Sequence, residues 1–462
     1  MWINIQHVFG IWIWRGISYI VLTLMSSNRK KELLLFRLAA YEMMSNLIDA
    51  HWFPLASQGN IYSMTKLCSP SSSNKLLVAS LKRKIYSCEY HQMTEFLRPM
   101  VKELLFTYIP SGAEIISIDA YNKSDTGDSF VIGITIMKTS TDTIERYLNI
   151  YTEGAIDGEG DEGSSIEAIA QNCLMVELSY TPYHLYHIVL PQPNFTHELV
   201  WLISGSDYKI HMIREDKLSH VYSESPIDKY FPELHDLQAI ALWINIYYYD
   251  NYKRRVTAVG CECGLVKVAV INVMDLQVSQ NWLLRYDKPV PSVIVFPHRN
   301  VIDKPAFVNA NVEAEKCIPA NDIPKLNIVI SNTSNAVVFE NILEHGMKQD
   351  VILSGSESSD CILCCCIADI NMDGQNEILL GTYGQEVLIF VLTDNAWELT
   401  ARKLFDAPVH SISYMDITND GIKELIVLTQ RGVHILQHNI ADVRTKWKER
   451  YGKLFDITRE KL

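Results

Sequence analysis

Hydrophobic and polar residues alternate in a repeating unit over most of the chain. From residue 51 onward, an apolar segment is followed by a short turn of Gly, Asn, Ser or charged residues and then by a second apolar segment. This pattern predicts two antiparallel strands joined by a turn. Seven such hairpins are predicted, at residues 76–90, 131–151, 199–213, 256–270, 326–340, 377–391 and 424–438.

The spacing of the hairpins indicates the architecture. They begin 47 to 70 residues apart, and a four-stranded propeller blade needs about 40–50 residues. The longer intervals coincide with polar insertions at residues 152–165 and 298–325. Since radial stacking buries the apolar faces of the blades, we predict an all-β protein with one seven-bladed β-propeller over residues 51–440. A stack of sandwich domains is the alternative, although no linker divides the chain.

The two ends of the chain depart from this pattern. Residues 8–25 are apolar except for Arg15, and residues 31–50 are rich in Leu, Ala and Met, which favours a helix. We therefore predict a helical N-terminal extension over residues 1–50. A membrane anchor is an alternative for its apolar part, although an arginine near the middle of a span is costly. Residues 441–462 carry seven basic and four acidic residues and predict a short, basic helical tail.

Composition narrows the classes of function. The chain has 462 residues and a formal net charge of −13, which argues against binding to nucleic acid, because the phosphate backbone attracts a basic surface. Ten cysteines are too few for a disulfide scaffold of this length. Most of them lie in apolar runs, as buried thiols of a reducing compartment do. We therefore expect a cytoplasmic protein without a nucleic-acid partner.

Two related loops lead into the last two hairpins. The segment DINMDGQNE at residues 369–377 recurs 47 residues later as DITNDGIKE at residues 416–424. Both copies have Asp at positions 1 and 5, Gly at position 6 and Glu at position 9, and an apolar strand follows. The arrangement resembles the FG-GAP repeat of integrin α propellers, in which the loop joins the first and second strands of a blade. FG-GAP-like loops are therefore expected in the last two blades.

These loops contain residue types that bind calcium. An EF-hand is excluded, because position 12 is Leu380 or Val427 instead of glutamate. The remaining calcium candidates are Asp369, Asn371, Asp373, Glu377, Asp416, Asp420 and Glu424. Asp and Asn also accept hydrogen bonds from their own backbone in tight turns, and Thr418 is a weak ligand in the second loop. We therefore predict that the loops serve as turns, with no metal and no cofactor.

The sequence contains no familiar catalytic motif. G-x-S-x-G, H-E-x-x-H and the glycine-rich phosphate-binding motifs are absent, so we predict no enzymatic activity and no catalytic residue. His184, His187 and His211 lie in apolar segments and are interpreted as core or rim residues. Cys361 and Cys364 have the spacing of a zinc-binding pair, but no second pair matches it. The cysteines of residues 361–366 are therefore interpreted as core residues on the inner strand of a blade.

Several long segments resemble the kaptin family. They are ELLFTYIPSGAEIISIDAYNKS (103–124), IAQNCLMVELSYTPYHLYH (169–187), LISGSDYKIHMIRE (202–215), YFPEL (230–234), VIVFP (293–297), TYGQE (382–386) and GVHILQH (432–438). The resemblance does not cover residues 1–50 or the two polar insertions. It implies a non-enzymatic scaffold subunit of a KICSTOR-like complex, which recruits GATOR to lysosomes and negatively regulates TOR kinase signalling when amino acids or glucose are scarce.

The same resemblance implies partners and a location. The expected partners are another FG-GAP propeller subunit, other KICSTOR subunits and GATOR, with indirect membrane contact at the lysosomal periphery. Kaptin-like proteins are also associated with actin filaments in lamellipodia and stereocilia, which gives an alternative function. A further alternative is an integrin-like, calcium-binding extracellular propeller. It requires a signal sequence and glycans on Asn194 or Asn332, which with Asn122 match the acceptor tripeptide.

Overall fold

Residues 47–448 fold into a ring of four-stranded antiparallel sheets. The computed structural model describes this range apart from residues 69–72, 95, 124–128, 142, 153–164, 192–196, 299–323 and 447. Within the described residues, 28 strands form seven sheets of four strands each. Each sheet is one blade, and the first six blades are built from consecutive strands. The predicted seven-bladed β-propeller is confirmed.

The strands are numbered in chain order, and each blade begins with its innermost strand. Blade 1 contains β2 (Met64–Leu67), β3 (Lys75–Ala79), β4 (Ile85–Gln92) and β5 (Leu97–Leu104). Blade 2 contains β6 (Ala113–Asn122), β7 (Phe130–Thr139), β8 (Ile144–Tyr151) and β9 (Cys173–Glu177). Blade 3 contains β10 (Pro182–Pro191), β11 (His197–Gly205), β12 (Ile210–Asp216) and β13 (Val221–Ser225). Blade 4 contains β14 (Ala241–Tyr249), β15 (Arg254–Cys261), β16 (Leu265–Asn272) and β17 (Gln277–Arg285). Blade 5 contains β18 (Ser292–Pro297), β19 (Leu326–Ser331), β20 (Ala336–Phe339) and β21 (Asp350–Ile352). Blade 6 contains β22 (Ile362–Ala368), β23 (Glu377–Thr382), β24 (Glu386–Thr393) and β25 (Ala396–Leu404). Blade 7 contains β26 (Val409–Met415), β27 (Glu424–Thr429), β28 (Gly432–His438) and β1 (Leu47–Pro54).

Short helices lie in the connections between these strands. They are Ile166–Ile169, Ile342–His345 and the 3-10 turns Ile227–Lys229, Pro232–Leu234 and Ser356–Ser358. Residues 440–446 are also helical, and the Asn439 side chain accepts the N–H of Ala441 at the start of this helix. The predicted helical tail therefore begins as expected, while residues 449–462 lie outside the described residues. No helix among the described residues is both long and apolar enough to cross a membrane.

The seven predicted hairpins are the second and third strands of the seven blades. These two strands are buried on both faces, as the all-buried patterns of β19, β23 and β27 illustrate. Both faces are covered because a cluster of buried apolar side chains fills each space between neighbouring blades. The core is therefore a ring of seven interfaces, one for each pair of blades.

Blade 7 is closed by a strand from the other end of the chain. β1 pairs antiparallel with β28, with Leu47 opposite His438 and Pro54 opposite Gly432. The helix predicted for residues 31–50, and the propeller boundary predicted at residue 51, are wrong for residues 47–50, which form the first half of β1. The cause is tertiary: Leu47 is buried against side chains of blades 6 and 7, and this burial outweighs a weak helical propensity. The rest of the predicted extension, residues 1–46, lies outside the described residues.

Cys364, Cys365 and Cys366 lie on β22, the inner strand of blade 6, as predicted, and Cys361 directly precedes this strand. Cys364 packs in the cluster between blades 6 and 7, and Cys366 packs against the same cluster. Cys365 points to the other side, into the cluster between blades 5 and 6. Burial raises the pKa of the Cys364 thiol above its usual range and that of Cys366 to about 11. These thiols are protonated at neutral pH and fill space in the core.

Candidate functional site

The two aspartate loops lie side by side on one face of the propeller. Residues 369–376 connect β22 to β23, and residues 416–423 connect β26 to β27, so each loop joins the first and second strands of its blade. This is the placement predicted from the resemblance to FG-GAP repeats. The connections between third and fourth strands reach the same face, because neighbouring strands are antiparallel. We call it the aspartate-loop face.

Asp369 holds the first loop in a tight turn. Its Oδ1 accepts the N–H of Asp373 at 2.9 Å, and its Oδ2 accepts the N–H of Gly374 at 2.9 Å. Gly374 has a φ of +91°, a conformation that side chains with a Cβ rarely adopt. The loop therefore needs an acceptor at its first position and glycine at its sixth, which explains why both recur in the sequence.

Glu377 closes the same loop from the start of β23. Its Oε2 accepts the N–H of Ile370 at 2.6 Å, and its Oε1 accepts the side-chain amide of Asn371 at 2.6 Å. The carboxyl group is fully buried. Burial, and then the neighbouring carboxylates Asp373 and Asp369, raise the pKa of Glu377 well above its usual range. The folded protein therefore favours the protonated form of Glu377 more than the unfolded chain does.

The first loop also has the geometry of a small cation site. Ligand oxygens of Asp369, Asp373 and Glu377 all lie within 4.8 Å of one another. Within the described part of the chain, no other group of three His, Cys, Asp or Glu residues meets this criterion. The same oxygens already accept hydrogen bonds from the loop, so a bound cation would share them with the backbone. Calcium needs six to eight oxygen ligands, and this group supplies three carboxylates.

The second loop repeats the turn of the first. Asp416 Oδ2 accepts the N–H of Gly421 at 2.8 Å, and its Oδ1 accepts the N–H of Asp420 at 3.2 Å. Asp420 Oδ1 in turn accepts the N–H of Ile422 at 2.8 Å. Gly421 has a φ of +87°, matching the sixth position of the first loop. The backbone of this loop is therefore held by carboxylates in the same way.

Thr418 makes the second loop different. Its hydroxyl donates to Oε1 of Glu424 at 2.9 Å, and Oε2 of Glu424 accepts the N–H of Ile417 at 3.0 Å. Burial raises the pKa of Glu424 to about 7. A hydroxyl group occupies the position at which the first loop has the amide of Asn371, so the second loop has fewer strong cation ligands than the first.

Two contacts to these loops come from residues that the sequence pattern did not single out. Asn74, in the corresponding connection of blade 1, donates from Nδ2 to the carbonyl oxygen of Asp416 at 2.6 Å. Lys446 of the C-terminal helix donates from Nζ to the carbonyl oxygen of Asn371 at 2.9 Å. The only sequence signal for the second contact is the basic character of the tail. The aspartate-loop face therefore includes the start of the tail.

The three histidines considered in the sequence are all engaged. His184 Nδ1 accepts the N–H of Ile244 at 3.2 Å, and burial lowers its pKa to about 4. His187 Nδ1 lies 2.7 Å from Oδ2 of Asp119. His211 Nδ1 lies 2.7 Å from a carboxylate oxygen of Glu224, and its ring stacks on Tyr180. These partners support the interpretation of the three residues as part of the core and rim.

The asparagines of the three glycosylation tripeptides lie in different surroundings. Asn332 is buried, and its amide nitrogen donates to Oδ1 of Asn335 at 2.6 Å. Asn122 donates from Nδ2 to the carbonyl oxygen of Cys68 at 3.5 Å, and Asn194 lies outside the described residues. A glycan on Asn332 would require this turn to open.

Two solved structures of low sequence identity align with most of this chain. One is a crystal structure of BBS1N in complex with ARL6DN; it has a TM-score of 0.48 and 9% identity, and covers 86% of this chain and 97% of the other. The second is a structure of the Dos1 propeller, with a TM-score of 0.47, 8% identity and coverage of 85% and 96%. The assignment of seven blades rests on the strand pairing described above.

Sequence comparison identifies the family. The model of the family described as KICSTOR complex protein kaptin matches residues 47–448. The KICSTOR complex protein kaptin of Mus musculus is 34% identical over 399 residues, which cover 85% of this chain and 88% of the mouse protein. The matched range begins at β1 and ends in the C-terminal helix, so it spans the whole propeller. The chain therefore belongs to the kaptin family of KICSTOR complex proteins.

Proposed function

We propose that the protein is a non-enzymatic scaffold subunit of a KICSTOR-like complex, which recruits GATOR to lysosomes and restrains TOR kinase signalling when amino acids or glucose are scarce. The observation that carries this proposal is the family match over the entire propeller, residues 47–448. A propeller of seven packed blades offers a large rigid surface, which suits a subunit that binds several proteins at once.

Partners are proposed to be proteins only: another FG-GAP propeller subunit, other KICSTOR subunits and GATOR. Large apolar side chains are exposed at several places on the rim, as protein interfaces require. Among them are Phe96, Leu105, Met175, Leu218, Met274, Leu283 and Leu404. The formal net charge of −13 is unfavourable for nucleic acid. Membrane contact is therefore proposed to be made through the partners.

A reducing compartment is proposed for the protein. The nine cysteines among the described residues are free thiols, and four of them are buried: Cys88, Cys261, Cys364 and Cys365. Asn332 is closed within a hydrogen-bonded turn. Both features are typical of a protein that folds in the cytoplasm, and they disfavour the integrin-like alternative. We place the protein in the cytoplasm, at the periphery of the lysosomal membrane.

The proposal is tested by purifying the tagged chain from cells and identifying the proteins that remain bound. We expect KICSTOR and GATOR subunits at stoichiometric levels. A truncated variant that begins at residue 47 retains all of blade 7 and tests whether the propeller suffices. Recovery of no KICSTOR subunit with either the full chain or the truncated variant would overturn the proposed function.

A second experiment separates the scaffold role from the actin-associated alternative. Cells that lack the protein are complemented with it, and phosphorylation of a TOR substrate is followed after withdrawal of amino acids. We expect complemented cells to lower TOR activity and uncomplemented cells to keep it high. Purified protein is also sedimented with filamentous actin. Direct sedimentation with actin, together with no effect on TOR activity, would favour the alternative.

A further inference from the structure

The outer edge of blade 4 is open to solvent. β17 (Gln277–Arg285) is the last strand of this blade, and among the described strands it pairs with β16 alone. The N–H and C=O groups on its outward side therefore have no partner strand within the described residues. An edge of this kind pairs readily with another extended chain.

The outer strands of the other six blades have features that hinder such pairing. Short strands, charged side chains and proline all protect an exposed edge. β9, β13 and β21 are short, with five, five and three residues. The three longer strands contain charged residues or proline: Arg98, Pro99, Lys102 and Glu103 in β5, Glu398, Arg402 and Lys403 in β25, and Asp49 and Pro54 in β1.

β17 lacks this protection over most of its length. Its nine residues, QVSQNWLLR, include no proline, and the one charged residue is Arg285 at the end. A bulge interrupts the strand at Ser279, whose hydroxyl donates to the carbonyl oxygen of Val270 at 2.8 Å. Beyond the bulge, residues 280–285 pair one to one with residues 265–270. These six residues therefore form a regular edge that is uncharged except at its end.

Apolar side chains are exposed along the same edge. Leu283 is 61% exposed, Val278 is 38% exposed, and Met274, in the turn before the strand, is 77% exposed. Trp282 and Leu284 pack against the cluster between blades 4 and 5, so Leu283, which lies between them, is on the opposite face of the strand. A segment with strand-forming residues, little charge and no proline is typical of strands that pair with copies of themselves.

The distribution of charge in this segment suits pairing with a second copy of the chain. Two identical strands related by a two-fold axis run antiparallel, and residues near the axis lie opposite or diagonal to their own copies. A charged residue near the axis would therefore meet the same charge, which destabilises the pair. In registers centred on Trp282 or Leu283, no two charged residues lie opposite each other. The self-complementary edge thus indicates the occupant.

We propose that residues 280–285 of β17 pair antiparallel with the same segment of a second copy, so that the blade 4 sheets of the two copies join into one continuous sheet. Pairing of two strands covers a small area, so the dimer is weak and depends on protein concentration. The inference is independent of the partners in the proposed function, because it requires only the chain itself.

The test is sedimentation velocity of the purified full-length chain at concentrations from about 1 to about 100 µM, the range in which a weak interface is populated. Leu283→Lys and Leu283→Glu are the two variants, because each places like charges opposite or diagonal to one another across the axis. The matched control is Leu404→Lys, at a leucine that is 72% exposed on β25, the outer strand of blade 6. Thermal unfolding of each variant verifies that the propeller is folded.

We expect the wild type and Leu404→Lys to dimerise with the same dissociation constant, and each Leu283 variant to raise that constant about tenfold or more. An equimolar mixture of Leu283→Lys and Leu283→Glu is expected to dimerise again, because opposite charges then meet across the axis. A wild type that stays monomeric throughout the range would overturn the inference. So would folded Leu283 variants that dimerise like the control, or a mixture that fails to restore the dimer.

A photo-crosslinking residue in place of the exposed Asn281 then locates the contact. In the purified protein, the expected product joins position 281 to a peptide that contains residues 280–285 of a second copy. A product that joins position 281 to any other surface of the second copy would overturn the inference. The proposed function is unaffected by either result, because it is tested by the recovery of other subunits.

Discussion

The Nδ1 atom of His434 lies 2.8 Å from Oδ2 of Asp49, although 385 residues separate them in the sequence. The contact joins the third and fourth strands of blade 7, which come from opposite ends of the described chain. All other neighbouring strands within the seven sheets are consecutive in the chain. β28 and β1 are not, so only noncovalent contacts hold this pair together. The stability of the whole propeller therefore depends on how firmly β1 binds.

Leu47 is the residue of β1 that tests this dependence. It is 2% exposed and packs against side chains of blades 6 and 7. Leu47→Ala is expected to lower the free energy of unfolding by about 2–5 kcal/mol, since it removes buried methyl groups and leaves a cavity. Urea unfolding followed by tryptophan fluorescence measures the change.

Ile48 provides the matched control for this prediction. It lies next to Leu47 on the same strand, but it is 52% exposed. Ile48→Ala is expected to change the free energy of unfolding by less than about 0.5 kcal/mol. Equal effects of the two substitutions would contradict the view that burial of β1 closes the ring.

The buried Glu424 predicts that stability depends on pH. Its pKa is about 7 in the folded protein, above the ordinary value of 4.5. The folded state therefore holds a proton that the unfolded state releases between these values, and the free energy of unfolding falls as pH rises from about 4.5 to about 7. The loss amounts to at most about 3 kcal/mol. The pKa of Glu377 is shifted in the same direction, so both loops contribute.

Two substitutions separate this effect from general titration of the surface. Glu424→Gln keeps the shape of the side chain but replaces the carboxyl group by an amide, which does not titrate. The free energy of unfolding of this variant should therefore change less between pH 5 and pH 8 than that of the wild type. Glu145→Gln, at a carboxylate that is 41% exposed, should leave the slope unchanged. If Glu424→Gln retains the full slope, another group is responsible.

The absence of bound calcium is a separate prediction. Carboxylates of both loops accept backbone N–H groups of their own turns, and the second loop has Thr418 at its third position. We therefore expect the melting temperature in millimolar calcium chloride to differ by less than about 1 °C from that in a chelator. Differential scanning fluorimetry measures the difference.

A calcium-bound loop would produce a recognisable result. Stabilisation would then grow with the logarithm of the calcium concentration. It would disappear in Glu377→Gln, which removes one of the three clustered carboxylates, and persist in Glu424→Gln of the second loop. This pattern would overturn the prediction and identify residues 369–377 as the site.

The hairpins were predictable because the apolar pattern that indicates them lies within each short stretch of sequence. The second and third strands of each blade are buried on both faces, so β19 and β20 appear in the sequence as nearly continuous apolar runs around a turn. The outer strands give no such signal. β17 is exposed at most of its positions, and its residues do not alternate in a way that distinguishes a strand from a loop.

The parts that sequence reasoning missed depend on residues far apart in the chain. β1 is a strand because β28 is available to pair with it, and no local pattern reports that partner. The turn chemistry of Asp369 and Gly374 was predictable, since the repeat itself displays the spacing. The cavity between blades 6 and 7 was not predictable, because Asp360, Asp406 and Arg431, which line it, are brought together only by the packing of the two blades.

A buried ion pair between Arg255 and Glu233 gives the last prediction. Both side chains are almost fully inaccessible, and Nε and Nη2 of Arg255 donate to the two carboxylate oxygens at 2.8 and 3.0 Å. The guanidinium also lies 4.4 Å above the ring of Phe231. Glu233→Leu leaves this cation buried without a counter-charge, so we expect the free energy of unfolding to fall by about 3–5 kcal/mol.

The double variant Glu233→Leu with Arg255→Met distinguishes the cost of an unpaired charge from the loss of packing. Replacing a buried ion pair by apolar residues of similar volume is often close to neutral, because neither charge then has to be removed from water. The double variant should therefore be more stable than Glu233→Leu alone in urea unfolding. Two further contacts tie residues 226–240 to blade 4: Glu233 accepts the hydroxyl of Thr257 at 2.8 Å, and Arg255 donates to the carbonyl oxygen of Tyr230 at 2.7 Å. If the double variant is as unstable as Glu233→Leu, the pair stabilises the protein chiefly by anchoring this segment.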